Sequence, residues 1–260
     1  MGAAEIATPS APRPAALAAI SHGTSSPAGQ AVVQALADEV ARLAASEGAV
    51  GTVRLGHVDV QQPDIAATLD ALEEDEPAVL VPLLLSAGFH VNVDMKEAVE
   101  AAGRPAVIAG ALGPDERLAA VLERRLREAG ADLERDAVIL AAAGSSDASA
   151  VRDVAETARL LGGRLAAVGG DAEVQDAYLS FAEPTVPAAV RAALEQSPGR
   201  RIVVASYLLA PGYFQELLES RAAEAGAAAV TQPLLSMEGE RPSVSEELPQ
   251  IVLDRYRAAS

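Results

Sequence analysis

The 260-residue sequence contains no cysteine, no tryptophan and only three histidines, His22, His57 and His90. The missing thiol excludes disulfides, iron–sulfur clusters and cysteine nucleophiles. No apolar run approaches the roughly 18 residues that a membrane-spanning helix needs. The first residues also lack the basic and apolar segments of a signal peptide. We therefore expect a cytoplasmic protein with no membrane partner. Any chemistry that needs histidine must use one of these three side chains.

Positive charge is scarce as well. Lysine and arginine together number 20, with Lys96 the single lysine, against 37 acidic residues, so the formal net charge is −17. A surface of this sign repels phosphate backbones, which disfavours nucleic-acid binding. Hydrophobic residues make up 50% of the chain, enough for a packed core. Residues 1–14 are rich in alanine and proline without periodicity and predict a disordered tail.

After this tail, short apolar runs alternate with amphipathic stretches. The pattern predicts strands over residues 15–20, 53–60, 78–85 and 106–109, and helices over 28–45, 63–72, 91–102 and 116–128. Proline at position 63 is placed at the first turn of its helix, where it is often found. Such alternation is typical of an α/β fold with a parallel sheet flanked by helices.

The cycle then repeats in the second part of the chain. Strands are predicted over 137–142, 174–180 and 202–206, with helices over 151–161 and from Glu183-Pro184 onward. Gly23, Pro63 and Gly88 recur as Gly144, Pro184 and Gly212. We therefore expect two duplicated βα domains, a first half over 15–131 and a second half over 132–260, with an active cleft between them.

Three side chains that can bind metal lie at the carboxyl ends of the first three predicted strands. His22 follows the first strand, Asp59 lies at the end of the second and His90 follows the third. Ligands of open parallel sheets bind beyond the carboxyl ends of the strands. If the strand order begins 2-1-3, these three loops are neighbours. Two imidazoles with a carboxylate suit a divalent transition metal, iron and cobalt included. The plainer alternative is that each histidine by itself caps a helix or packs on a turn.

The second half lacks these side chains. Ala143, Ser180 and Phe214 stand where His22, Asp59 and His90 stand in the first half. Residues that form the fold recur, whereas the candidate ligands occur once, so we predict that the chemistry is confined to the first half. The second half is expected to form a wall of the cleft, with Tyr213 or Phe214 as apolar surface.

Other features of the loops are less specific. The sequence has no nucleophile elbow, phosphate loop or dinucleotide fingerprint. Ser25 and Ser26 are placed as ordinary helix N-caps. His57 would lie on the same strand face as Asp59, so it either reaches the site or is a packed strand-end histidine.

The segments Ala19-Ile20-Ser21-His22-Gly23-Thr24 and Val81-Pro82-Leu83-Leu84-Leu85-Ser86-Ala87-Gly88-Phe89-His90, followed by Asp94, resemble the sirohydrochlorin chelatases of the CbiX/SirB type. The resemblance covers nearly the whole chain after the tail, including the duplicated layout of class II chelatases. It implies a lyase that inserts Fe²⁺ or Co²⁺ into sirohydrochlorin, in siroheme or cobalamin biosynthesis, without a prosthetic group.

By this resemblance, His22 and His90 handle the metal. Asp59, four residues before Pro63, takes the place of a glutamate in many relatives and would offset metal charge and accept protons. The tetrapyrrole would lie in the cleft over the first sheet. Its carboxylates are expected to meet helix N-termini and polar groups, with these candidates: Thr24, Ser25, Ser86, Gly88, Asn92 and His57.

Two other functions stay open at this point. One is a chelatase for another tetrapyrrole or another metal, such as nickel. The other is a metal-binding carrier or sensor without catalysis. Iron and cobalt accept the same ligands, so the sequence does not choose between them. A monomer is the simplest state, because the duplication supplies two lobes in one chain, and a dimer stays open.

Overall fold

The computed structural model describes residues 14–48, 50–74, 76–86, 88–170 and 173–260. For residues 89–92 and 94 it describes the backbone alone. Residues 1–13 of the predicted disordered tail lie outside the described residues. No helix in the described part of the chain is long and apolar enough to cross a membrane.

The first half forms a four-stranded parallel sheet with the order β2-β1-β3-β4. Its strands are β1 (Ala16–Ser21), β2 (Val53–His57), β3 (Ala78–Pro82) and β4 (Ala106–Ile108), and its helices are α1 (Pro27–Glu47), α2 (Ile65–Asp70), α3 (Phe89–Ala102) and α4 (Glu116–Glu128). Every residue of β1 and β3 is buried, as expected of apolar strands with helices on both faces. The order confirms that the loops after β1, β2 and β3 are neighbours.

The second half repeats this arrangement with the order β6-β5-β7-β8. Its strands are β5 (Ala137–Ala142), β6 (Gln175–Tyr178), β7 (Ile202–Tyr207) and β8 (Ala229–Val230), and its helices are α5 (Ala148–Ala166), α6 (Val186–Gln196) and α7 (Tyr213–Ala225). The chain ends with a hairpin of β9 (Ser236–Glu238) and β10 (Arg241–Ser243), then α8 (Glu247–Ala259). The duplicated α/β architecture is therefore confirmed.

The two halves exchange a helix. Helix α4 packs against α5 and β7 of the second half, and α8 packs against α1 and β3 of the first. Arg124 and Glu247 join α4 to α8 through two contacts of 3.0 and 3.1 Å. One apolar cluster runs from α1 through α4 and α8 to α5. A boundary at 131/132 therefore separates the two sheets but not the helices that cover them.

Two of the strands that lead to the candidate site end earlier than predicted. Strand β2 ends at His57 rather than 60, and the next two amides donate to the last residue of β1 and to the residue that follows it. Strand β3 ends at Pro82 rather than 85. Helix α2 begins at Ile65 with Asp64 as its N-cap, so Pro63 precedes the helix and does not open it. Pro184 likewise precedes the Thr185 cap of α6.

Candidate functional site

The loops after β1 and β2 are joined through their backbones. The amide of Val58 donates to Ser21 O over 2.8 Å, and that of Asp59 donates to His22 O over 3.0 Å. Gly23 has φ +94°, and a Cβ there would overlap Asp59 O, so this close approach requires glycine. The contacts place His22 and Asp59 side by side at the carboxyl end of the sheet, where both residues are exposed.

The Asp59 loop holds a strained residue. Val60 has φ +66° and is 59% exposed, a conformation that is costly for a β-branched residue and is often found at functional sites. Its amide donates to Asp59 Oδ1 over 2.7 Å. Gln61 connects this loop to the loop after β1, because its Oε1 accepts a hydrogen bond from the Thr24 amide over 2.8 Å. Asp59 therefore lies on a loop that is held by a hydrogen bond within the loop and by another to the loop after β1.

The third loop is described in part. Helix α3 begins at Phe89 with Gly88 as its N-cap, so His90 lies in the first turn of α3, just beyond β3. Because β3 pairs with β1, this turn neighbours the His22 loop. The side chains of His90 and Asn92 lie outside the described residues. Among those described, no group of three His, Asp or Glu side chains could hold a metal ion, so the two-histidine metal site stays a prediction.

His57 does not share a strand face with Asp59, because β2 has already ended. Its side chain is buried, 4% exposed, with Nδ1 2.7 Å from Ser21 Oγ. Burial lowers the pKa of the His57 imidazole below its ordinary value of 6.5. The ring is thus held neutral beside the loop that carries His22.

The remaining candidates lie in the same loops. Thr24 Oγ1 accepts from the Ser26 amide over 3.1 Å, and Ser26 Oγ caps α1 by accepting from Gly29 N. Ser25 is exposed and is not the cap, which corrects the prediction that both serines are. Ser86 O accepts from the Gly88 amide just before α3. These polar groups line the carboxyl ends of β1 and β3.

The second half builds the same loops without the same side chains. Gly144 has φ +94°, and the Ser180 amide donates to Ala143 O over 3.0 Å. Phe181 follows with φ +60°, as Val60 follows Asp59. The hydroxyl of Ser180 donates to Ala143 O. This copy therefore has the backbone of the site and none of its candidate ligands.

The loops of the two halves face each other. A Cβ at Gly212, before α7, would lie 3.3 Å from Thr24 Oγ1. A Cβ at Gly88, before α3, would lie 3.8 Å from Ser145 Oγ. Tyr207 also donates its hydroxyl across the junction to Leu85 O, over 3.1 Å. The carboxyl ends of both sheets thus meet at one place.

The described aromatic residues divide between the core and the loops at the carboxyl ends of the strands of the second sheet. Three tyrosines are buried, while Phe181, Tyr213 and Phe214 are 82%, 70% and 44% exposed. All three exposed rings follow strands of the second sheet, and the rings of Tyr213 and Phe214 stand edge to face with their centroids 5.5 Å apart. Exposed apolar patches of this kind mark binding surfaces. Phe181 was not among the predicted residues, although its alignment with Val60 in the duplication would have identified it.

Comparison with known proteins bears on this arrangement. The CbiX family model matches twice, over residues 16–129 and 137–257. The chain is 33% identical over 139 residues to the sirohydrochlorin ferrochelatase of Priestia megaterium, covering 51% of this chain and 50% of that protein. It is 34% identical over 79 residues to the sirohydrochlorin cobaltochelatase of Sulfurisphaera tokodaii, covering 29% of this chain and 66% of that protein.

A solved structure shares the whole architecture. SirB from Bacillus subtilis, determined with Fe³⁺, superposes with a TM-score of 0.76 at 21% identity, covering 94% of each chain. This likeness extends over both sheets and over the exchanged helices that join them. Because the family model matches each half in turn, the chain belongs to the CbiX family.

Proposed function

We propose that this protein is a sirohydrochlorin chelatase that inserts Fe²⁺ or Co²⁺ into its tetrapyrrole substrate. The observation that carries the proposal is the junction itself, where Thr24, in the loop that carries His22, lies against Gly212 of the other half. Gly212 immediately precedes the exposed rings of Tyr213 and Phe214. A planar macrocycle fits such a place, with polar ligands on one side and apolar surface on the other. The names of the two curated relatives support this substrate, although the matched regions span 50% and 66% of those proteins.

In this mechanism the first half handles the metal. His22 and His90 bind the incoming ion and present it to the ring, because imidazole nitrogens are suitable ligands for iron and cobalt. Asp59 offsets the charge of the ion and accepts protons released from the pyrrole nitrogens. The backbone contact between Asp59 N and His22 O keeps the carboxylate beside the first histidine.

The second half holds the macrocycle. Phe181, Tyr213 and Phe214 offer ring faces and edges on which a tetrapyrrole can stack. The acidic arms of the substrate are met by the N-termini of α1 and α3 and by polar groups of Thr24, Ser25, Ser86, Gly88 and Asn92. One chain supplies both sides, so we propose that a monomer is active.

The test is anaerobic incubation of the purified protein with sirohydrochlorin and Fe²⁺, Co²⁺ or Ni²⁺ in turn, following the absorbance change on insertion. We expect turnover with iron or cobalt, well above the rate without protein. Turnover with nickel alone would show that the protein is a chelatase for a metal other than iron or cobalt. Tight metal binding without turnover would identify a carrier and contradict the proposal.

A further inference from the structure

A groove with a volume of about 400 Å³ lies between the start of α1 and the edge strand β2, beside the candidate site. Four glutamines and one histidine supply its polar groups: Gln30, Gln34, Gln61, Gln62 and His57. Among the described residues, no Asp, Glu, Lys or Arg lines it, although the chain has 37 acidic residues. The groove is therefore a neutral, hydrogen-bonding surface on a strongly acidic protein.

The hydrogen bonds around His57 determine which ring nitrogen carries the proton. The Gly23 amide donates to Ser21 Oγ over 3.2 Å. Among the described residues His57 Nδ1, at 2.7 Å, is the one acceptor within reach of the buried Ser21 hydroxyl, so we infer that the hydroxyl donates its proton to Nδ1. With Nδ1 accepting, a neutral ring has its proton on Nε2. Among the described residues Nε2 has no hydrogen-bond partner. His57 thus offers an N–H donor to a ligand in the groove.

The second half builds the equivalent position with a different pair. Ser21 pairs with His57 in register, and the equivalent register pair is Ala142 with Tyr178. The Tyr178 hydroxyl donates to the Asp176 carboxylate and toward Val151 O. The loops that follow have the same glycine conformation and the same backbone hydrogen bonds in both halves. Shaping the turn therefore does not explain the serine–histidine pair.

The position of the groove connects it to the candidate site. Gln61 lines it, lies two residues after Asp59 and accepts from the Thr24 amide. The amide nitrogens of Gln30, Gln34 and Gln62 each donate one N–H within the protein, to Thr24 O, Asp38 and Asp64, which leaves each of them one N–H for a ligand. Together with the His57 ring, these neutral donors suit a carboxylate more than a phosphate, because no arginine or lysine among the described lining residues could offset a larger charge. We propose that this groove is a binding subsite for one carboxylate arm of the tetrapyrrole, held by His57 Nε2–H and glutamine amides. The assignment rests on the proposed function.

Two variants test the subsite independently. The double change S21A/H57Y installs the pair that the second half already folds with, and Q34L removes one amide from the groove without touching the pair. The matched control is Q196L, at the exposed end of α6. Each variant is assayed for Co²⁺ insertion and for equilibrium binding of metal-free sirohydrochlorin by absorbance titration.

We expect S21A/H57Y to raise KM and Kd for sirohydrochlorin about tenfold, with kcat within about twofold of wild type, since hydrogen bonds to charged groups stabilise by about 1.5–3 kcal/mol. Q34L should raise KM less, and Q196L should leave it unchanged. Lower kcat at unchanged Kd would mean that the pair only positions the His22 loop, and would overturn the subsite. A wild-type protein that binds sirohydrochlorin but does not insert metal would instead overturn the proposed function.

Discussion

In the first half the loops after the first two strands carry His22 and Asp59, and in the second half the same loops carry Ala143 and Ser180. Both pairs of loops are joined by the same amide-to-carbonyl bond of 3.0 Å, and both turn at a glycine with φ +94°. The backbone is thus independent of the side chains that it presents. A duplicated fold can keep its frame in both copies while one copy alone retains polar ligands.

The halves also differ in their exposed aromatic side chains, which the second half carries. The loop residue with positive φ is Val60 in the first half and Phe181 in the second, and the latter is 82% exposed. Tyr213 and Phe214 add two more exposed rings at the start of α7. One copy therefore presents polar groups and the other apolar rings at the carboxyl ends of its strands, and this difference underlies our proposal that one half handles the metal and the other binds the macrocycle.

The largest expected effect comes from removing His22 and His90, the two histidines that we propose handle the metal. His22→Ala and His90→Ala should each lower the rate of Co²⁺ insertion at least about 100-fold, and the double variant should lose little more, because both act on one metal ion. Insertion is followed by absorbance under anaerobic conditions. Circular dichroism checks that each variant is folded.

Equilibrium Co²⁺ binding tests the same asymmetry without turnover. We expect one site per chain, lost in the double variant, because Ala143 and Phe214 offer no ligand in the second half. A second site of similar affinity that survives both substitutions would show that the two halves do not differ in the way we describe.

The next largest effect concerns the carboxylate. Asp59→Asn should lower the insertion rate about tenfold or more, because an amide neither offsets metal charge nor accepts a proton at neutral pH. His57→Ala should lower kcat less, since His57 is buried beneath the loop rather than exposed in it. Ser180→Ala in the second half is the matched control and should stay near the wild-type rate. Equal losses in Asp59→Asn and Ser180→Ala would remove the distinction between the loops.

Sequence patterns were sufficient for the sheets and for the positions of the loops. The parallel strands and the duplication follow from alternating apolar runs. The neighbourhood of His22 with Asp59 follows from the carboxyl-end rule only once the strand order is known, and that order, which we assumed from the sequence, is supplied by the structure. The family model, which matches both halves, agrees with the resemblance drawn from the His22 and His90 segments. Local periodicity and a few glycines carry this information.

The rest depended on contacts that periodicity does not encode. The amphipathic pattern of 116–128 predicts helix α4 with its observed bounds, but it does not say that the apolar face packs on the sheet of the other half. The burial of His57 comes with a contact to Ser21 on the neighbouring strand, which local periodicity does not predict. Val60 and Phe181 share a positive φ although neither residue type favours it.

A smaller effect is expected from the aromatic side of the junction. Phe214→Ala and Phe181→Ala should each raise KM for sirohydrochlorin about five- to twentyfold, the scale of about 1–2 kcal/mol of ring contact. Co²⁺ binding should not change, because these rings carry no ligand atom. Val60→Ala, the matched change in the first half, should raise KM less. If loss of the rings impaired metal binding as much as substrate binding, the division of roles between the halves would be wrong.

The smallest effect concerns the pH dependence of stability, and it compares Ser21–His57 with Ala142–Tyr178. Burial holds the pKa of His57 below 6.5 in the folded protein, so between that lowered value and 6.5 the unfolded chain binds a proton that the folded chain does not. Stability from this group is therefore fully present above about pH 6.5 and is lost as pH falls below it.

S21A/H57Y replaces the imidazole with a phenol that does not titrate in this range. In urea unfolding at pH 5.5 and 7.5, wild type should lose more stability at the lower pH than the variant, by less than about 1 kcal/mol. Q34L, which alters the groove and keeps His57, should follow wild type. If the free energy of unfolding changed equally with pH in wild type and S21A/H57Y, the neutral state of His57 would contribute nothing to the difference between the halves.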